Sequence, residues 1–166
     1  MNALGRRYSS WVYFMPILNR IFPQPPGNVG PAALQVNGPT IEVEIAVPSA
    51  LQQLLTQNGQ AVPPPVRGIA LVDTGATLSS VDDAVITGLG VAPIGLINTG
   101  TAGGPNTQNL YPARFIFQGV GWVFEFGRVT GSNLAGTGII ALVGRDVLAN
   151  TILVYNGPLG VFSLAI

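Results

Sequence analysis

Asp73 is the residue best placed for chemistry. It ends the apolar run Ile69-Ala70-Leu71-Val72 and opens the stretch Asp73-Thr74-Gly75-Ala76-Thr77. A second apolar run, residues 139–143, ends in Gly144-Arg145-Asp146. A carboxylate on a tight turn at a strand end can take a proton from water as a general base. Little else in the chain can carry catalysis. Its 166 residues include no histidine, cysteine or lysine. Histidine-assisted serine or cysteine nucleophiles, Schiff-base chemistry, thiolate or imidazole metal sites and phosphate-binding lysines are therefore excluded. Seven carboxylates remain, and Asp73 is the one at a strand-to-turn junction within an apolar run.

The elements that must position Asp73 read as mostly β. Ile41, Val43, Ile45 and Val47 alternate with polar residues at the period of a half-buried strand. A helical insert follows, with Ser49 as its N-cap, Leu51, Leu54 and Leu55 on one face and Gly59 at its end. Pro63-Pro64-Pro65 leads extended chain into the Asp73 strand. Ser80-x-x-Asp83 reads as a capping box opening a short helix that closes near Gly90. A strand then approaches Ile97. Residues 98–109 have the composition of a mobile loop, with Gly100, Gly103, Gly104 and Pro105 among small polar residues. Residues 111–117 and 122–129 form a strand pair about Gly119, with Trp122, Phe124 and Phe126 packing from one face. Residues 139–143, a helix over 144–150, a strand over 151–155, an Asn156-Gly157 turn and a strand over 159–164 complete the chain. The expected fold is all-β with one or two short helices.

Ala-Leu-Val-Asp-Thr-Gly-Ala, residues 70–76, and Ala-Leu-Val-Gly-Arg-Asp-Val-Leu, residues 141–148, resemble the two motifs of the retropepsin-like aspartic proteases. The resemblance covers about residues 39–166. It implies a closed, β-barrel-like lobe that dimerises, with Asp73 catalytic and Thr74 locking the two turns across the dimer axis. Gly144, Arg145 and Asp146 would support the active site. Substrate would lie as an added strand on Gly75, Ala76 and Thr77, beneath a flap containing Gly100, Gly103 and Gly104. Amide hydrolysis needs one ionised carboxylate to activate water and one protonated carboxyl to donate to the carbonyl oxygen. Two carboxyls held together share a proton. A two-fold axis beside Asp73 would supply the second copy. The resemblance implies neither cofactor nor metal.

The match departs from the family at Thr77. In retroviral relatives an acid stands there and pairs with the arginine of the second motif. Here the partner of Arg145 must differ, with Asp146, Asp82 and Asp83 as candidates. The insert at 48–65 is a second departure. Residues 160–166 suit the family's C-terminal strand, which interdigitates with its partner at the dimer base. The insert, together with a lysine-free composition rich in Ala, Gly and Pro, fits a free-standing bacterial or other cellular protein better than a viral one.

Charged residues make up 8% of the chain and hydrophobic ones 48%, which suggests either a buried face between subunits or a polar, uncharged surface. Residues 1–30 carry three arginines and no acid, whereas residues 31–166 carry four arginines and seven acids. The main domain is thus slightly acidic, which argues against nucleic acid as a partner. The basic, aromatic and Pro-rich segment 1–30 reads as separate from a domain over 31–166. Its apolar run, residues 11–15, is too short to span a bilayer. Contact of residues 1–22 with a membrane surface is one reading, and a docked or disordered tail is the plainer one. No clean cleavage site follows Arg6-Arg7, so a cytoplasmic location is expected, with export or membrane association open.

Two functions follow: a homodimeric endopeptidase, or a non-catalytic binding and dimerisation module on the same fold. Other Asp-x-Gly sites fail on context. A sugar-kinase-like phosphate loop needs a second lobe, and a phosphoryl-accepting aspartate expects a lysine and further acids.

Overall fold

The structure is a computed structural model that describes residues 17–21, 30–101 and 104–166. The basic pair Arg6-Arg7, the apolar run 11–15, the prolines at 23, 25 and 26 and Gly103 lie outside the described residues.

In chain order the elements are β1 (Ile17–Ile21), α1 (Gly30–Asn37), β2 (Thr40–Ala46), α2 (Ser49–Gln57), β3 (Val66–Val72), β4 (Ser80–Asp82), α3 (Asp83–Gly88), β5 (Gly95–Thr101), β6 (Gly104–Phe117), β7 (Trp122–Ser132), β8 (Ala141–Val143), α4 (Arg145–Leu148), β9 (Ile152–Asn156) and β10 (Val161–Ala165). The mostly β expectation holds, but the described residues contain four short helices rather than one or two. Among them no helix is long and apolar enough to cross a membrane.

Seven strands form one sheet in the order β2-β3-β8-β4-β7-β6-β5. A further pairing of β2 with β6, from Val43 opposite Phe117 to Ala46 opposite Arg114, closes six of them into a barrel. Only β5 hangs outside the ring, on the long β6. Closure removes the unpaired edges that an open sheet would leave. The interior is filled by Ile41, Val43, Ile45, Val72, Val81, Phe115, Phe117, Val129 and Val143, all buried. Phe115 packs edge-on against Phe126 at 4.9 Å between ring centres, and Phe117 against Phe124 at 5.5 Å. The expected packing role of these aromatics is thus met.

Four local readings are corrected. Ser49 is the first residue of α2, not its cap. Its N–H and hydroxyl donate to Glu125, and Pro48 precedes the helix without a side-chain cap bond. Ser80 is a buried residue of β4, and Asp82 caps α3 by accepting from the N–H groups of Ala84 and Val85. Residues 98–101 and 104–109 are not a loop. They belong to a β5–β6 hairpin paired without slippage from Gly95 opposite Leu110 to Thr101 opposite Gly104. The Asn156-Gly157 turn is longer than two residues: Val161 pairs with Asn156, and the Asn156 side chain accepts from Leu159 N–H at 3.1 Å.

A second, three-stranded sheet runs β1-β10-β9. Ile17 lies opposite Ala165 and Ile21 opposite Val161, so part of the N-terminal segment read as separate pairs with the C-terminal strand. Both edges of β10 are taken within the chain, and among the described residues the unpaired edges of this sheet belong to β1 and β9. Phe162 and Leu164 turn inward and join the barrel core. Helix α1 is anchored by the fully buried Leu34, whose carbonyl accepts from the Tyr155 hydroxyl at 3.3 Å.

Candidate active site

The two motif strands lie side by side. β3 and β8 are parallel and in register, with Ala70 beside Ala141, Leu71 beside Leu142 and Val72 beside Val143. Near-continuous apolar runs suit strands covered on both faces. The register makes Asp73 and Gly144 leave the barrel as neighbours. Asp73 N–H donates to Val143 carbonyl at 2.9 Å, the last rung before the strands part.

The turn that follows is held by its own carboxylate. Gly75 N–H donates to Asp73 Oδ1 at 2.8 Å, and Ala76 N–H to Asp73 carbonyl at 3.3 Å. Gly75 does not adopt a left-handed φ. A β-carbon there would meet Asp73 Oδ1 at 3.1 Å, so glycine serves the close approach of the carboxylate rather than an unusual backbone conformation. Asp73 is half-buried, and Thr74 and Gly75 are exposed. The carboxylate is therefore fixed by the fold while the turn itself faces solvent.

The second motif clamps this turn from below. Arg145 N–H donates to Ala76 carbonyl at 2.9 Å. The Arg145 guanidinium donates to Thr74 carbonyl at 3.2 Å and to Thr77 Oγ1 at 2.8 Å. None of the three acids considered as its partner serves. Asp82 caps α3 and accepts from Leu134 N–H, and Asp83 accepts from the Tyr111 hydroxyl. Asp146 points the other way, accepting from Ser79 N–H at 2.8 Å and Ser79 Oγ at 2.7 Å. The hydroxyl and carbonyl available at Thr77 and Thr74 are why the arginine can sit at the turn without an acid there.

Ser79 is the residue that sequence reasoning missed. It is fully buried, and its hydroxyl also accepts from Gly144 N–H at 3.0 Å. It thus ties the chain after the Asp73 turn to both ends of the Gly144–Asp146 motif. The consecutive hydroxyls Ser79-Ser80 behind an apolar residue were the available signal. Gly144 has no room for a side chain, since a β-carbon would lie 2.6 Å from the Leu78 carbonyl carbon and 2.8 Å from Ser79 N.

The glycines assigned to a flap lie on the β5–β6 hairpin. Gly100 pairs with Pro105, and Gly104 has φ 108° beside the hairpin end. This hairpin is braced to the barrel: Gln108 donates to Gly131 carbonyl and Ser132 Oγ, and the Tyr111 hydroxyl donates to Asp83 at 2.9 Å. Burial, and then the bond to Asp83, raise the Tyr111 pKa above its ordinary value. The structure therefore brings Asp73, Thr74, Gly75, Ala76, Thr77, Gly144, Arg145 and Asp146 together. Gly100 and Gly104 belong to a separate hairpin whose described hydrogen bonds do not reach the Asp73 turn.

No family model matches the chain, and no curated protein does. Among solved structures it is similar to the simian foamy virus (mac) protease in solution, at 22% identity and a TM-score of 0.41, over 66% of this chain and 91% of that one. It is also similar to a retropepsin-like aspartic protease from Rickettsia conorii, at 15% identity and a TM-score of 0.41, over 92% of this chain and 96% of that one.

Proposed function

We propose that the chain is a retropepsin-like aspartic endopeptidase that works as a homodimer. The observation that carries this is the Asp73 turn: a carboxylate at the end of a barrel strand, seated beside Gly144 and clamped by Arg145. One such turn holds half of the machinery that amide hydrolysis requires. Two copies meeting about an axis next to Thr74 would supply both carboxyls.

In that assembly one Asp73 carboxylate removes a proton from a water placed between the two copies. The water oxygen attacks the scissile carbonyl carbon as the protonated Asp73 of the second copy donates to the carbonyl oxygen. As the tetrahedral intermediate collapses and the C–N bond breaks, the Asp73 that took the water proton gives it to the leaving nitrogen and the other Asp73 takes a proton back from the gem-diol hydroxyl. The substrate peptide lies extended over Gly75, Ala76 and Thr77, with the β5–β6 hairpin as the element that covers it.

The test is cleavage of a pooled peptide library at about pH 4 to 7, by the purified chain and by Asp73→Asn. Expected are cleavage by the first, none by the second, an unchanged fold in both, and specific activity that rises with chain concentration. An Asp73→Asn protein that still cuts overturns the proposal. Absence of cleavage by a folded dimer favours the binding module instead.

A further inference from the structure

Arg145 is held in place yet has no acid to match it. Its guanidinium spends two donors, on the Thr74 carbonyl and Thr77 Oγ1, and it is exposed beside the turn that carries Asp73. A guanidinium offers five N–H donors in a planar fork suited to a carboxylate. The remaining donors and the full charge are thus presented at the edge of the site.

The chain's own acids do not answer this charge. All seven carboxylates lie among the described residues, and each is engaged elsewhere. Glu44 pairs with Arg67, Glu125 with Arg114 and Ser49, and Glu42 has a partner of its own. Asp82 and Asp83 serve α3 and Tyr111, Asp146 serves Ser79, and Asp73 serves Gly75. A second copy would bring the same seven side chains, each with the same partners within its own chain. A bound peptide can then supply the matching acid. Thr77 is also open to one, since its main-chain groups make no backbone hydrogen bond among the described residues.

Resting on the endopeptidase reading, we infer that Arg145 forms an acid-selecting subsite. It would favour peptides with Asp or Glu within about three residues of the scissile bond, given that an extended substrate advances about 3.3 Å per residue. The ordered position of the guanidinium means that little side-chain freedom is lost when the carboxylate arrives. The advantage is that of a solvent-accessible ion pair, about fivefold in kcat/KM, and it shrinks as salt rises.

The experiment uses the full chain and peptide pairs that carry Glu or Gln at each position flanking a cleaved bond. The Glu/Gln ratio of kcat/KM is read within each protein, so that a general loss of rate cancels. Wild type is expected to prefer Glu at one position at about pH 6. The preference should fade towards about pH 4, as the peptide carboxyl protonates. Arg145→Gln should bring the ratio to one. So should Thr77→Asp, which keeps the arginine and places a carboxylate where Thr77 Oγ1 now accepts its bond. Wild-type cleavage without any Glu preference overturns the subsite alone, as does a preference that survives both substitutions. Absence of cleavage by wild type removes the endopeptidase reading and the subsite with it.

Discussion

Ser79 donates twice to Asp146 across 67 residues of sequence, through its N–H at 2.8 Å and its hydroxyl at 2.7 Å. The same hydroxyl accepts from Gly144 N–H at 3.0 Å. One buried side chain thus joins the chain leaving the Asp73 turn to the motif beneath it. Ser79→Ala removes a charge-assisted bond and leaves the buried Gly144 N–H without its acceptor. The expected cost is about 2–3 kcal/mol, read as a lower urea midpoint with an unchanged m-value. Cleavage should fall as well, because the turn loses its support. A Ser79→Ala midpoint equal to wild type would show that the junction does not hold the turn.

Gly144 tests the same junction by space rather than polarity. Its φ of −88° suits any residue, so a side chain would fail only by contact. A β-carbon would lie 2.6–2.8 Å from main-chain atoms of Leu78 and Ser79, which cannot swing aside as a side-chain tip can. Gly144→Ala is expected to cost about 3 kcal/mol or more. Gly59→Ala is the control: nothing lies within 4 Å of the added carbon there, and strain comes only from φ 66°. Thermal midpoints of the two variants measure the difference directly.

These contacts show where the sequence was informative. The apolar runs ending at Asp73 and Gly144 were legible because one face of β3 and β8 is buried and the other half-covered near their C-terminal ends, which leaves a continuous hydrophobic signature. Their adjacency in register came with the motif pair, not with periodicity. Composition alone read the β5–β6 pair as a loop, because Gly100, Pro105 and the asparagines have loop composition, and a hairpin there came only with the family resemblance. Its ladder comes from cross-strand pairing, which composition does not encode. Strand β1 was missed for the same reason, since its partner β10 lies at the other end of the chain. The caps of α2 and α3 each slipped by a residue or two, because Ser49, Ser80 and Asp82 are all good caps and tertiary contacts chose among them.

Tyr111 carries a pH-dependent share of stability. Its hydroxyl is buried and donates to Asp83, and its folded pKa is raised above 10.0. A group whose folded pKa is raised contributes stability that is complete below the unfolded value and is lost as pH rises through the folded one. Tyr111→Phe should cost about 1–2 kcal/mol near neutrality, from the lost bond to a charged acceptor. The gap to wild type should stay constant up to about pH 9 and narrow as pH rises past about 10, where the unfolded chain can ionise this phenol and the folded one resists it. Urea midpoints of both proteins across that range decide it, and a gap that stays constant would sever Tyr111 from the alkaline loss.

The insert helix is the last element whose attachment can be tested alone. α2 has no buried residue, and its first turn is held by Glu125, which accepts from Ser49 N–H and hydroxyl while lying 3.8 Å from Arg114 Nε. Arg114 also donates to Ser49 Oγ at 3.1 Å. Ser49 and Glu125 are exposed while the Arg114 side chain is mostly buried, so the Glu125 contacts add about as much to global stability as a solvent-accessible ion pair. Glu125→Ala should move the unfolding midpoint by about 1 kcal/mol or less. Local opening is a different quantity, because a helix with few buried contacts samples it far below the global unfolding free energy. Amide exchange over residues 49–52 should therefore accelerate in Glu125→Ala while exchange in β2 and β6 stays as in wild type. Equal protection of α2 in both proteins would assign its attachment to Leu51 and Leu55, the half-buried residues on its inner face.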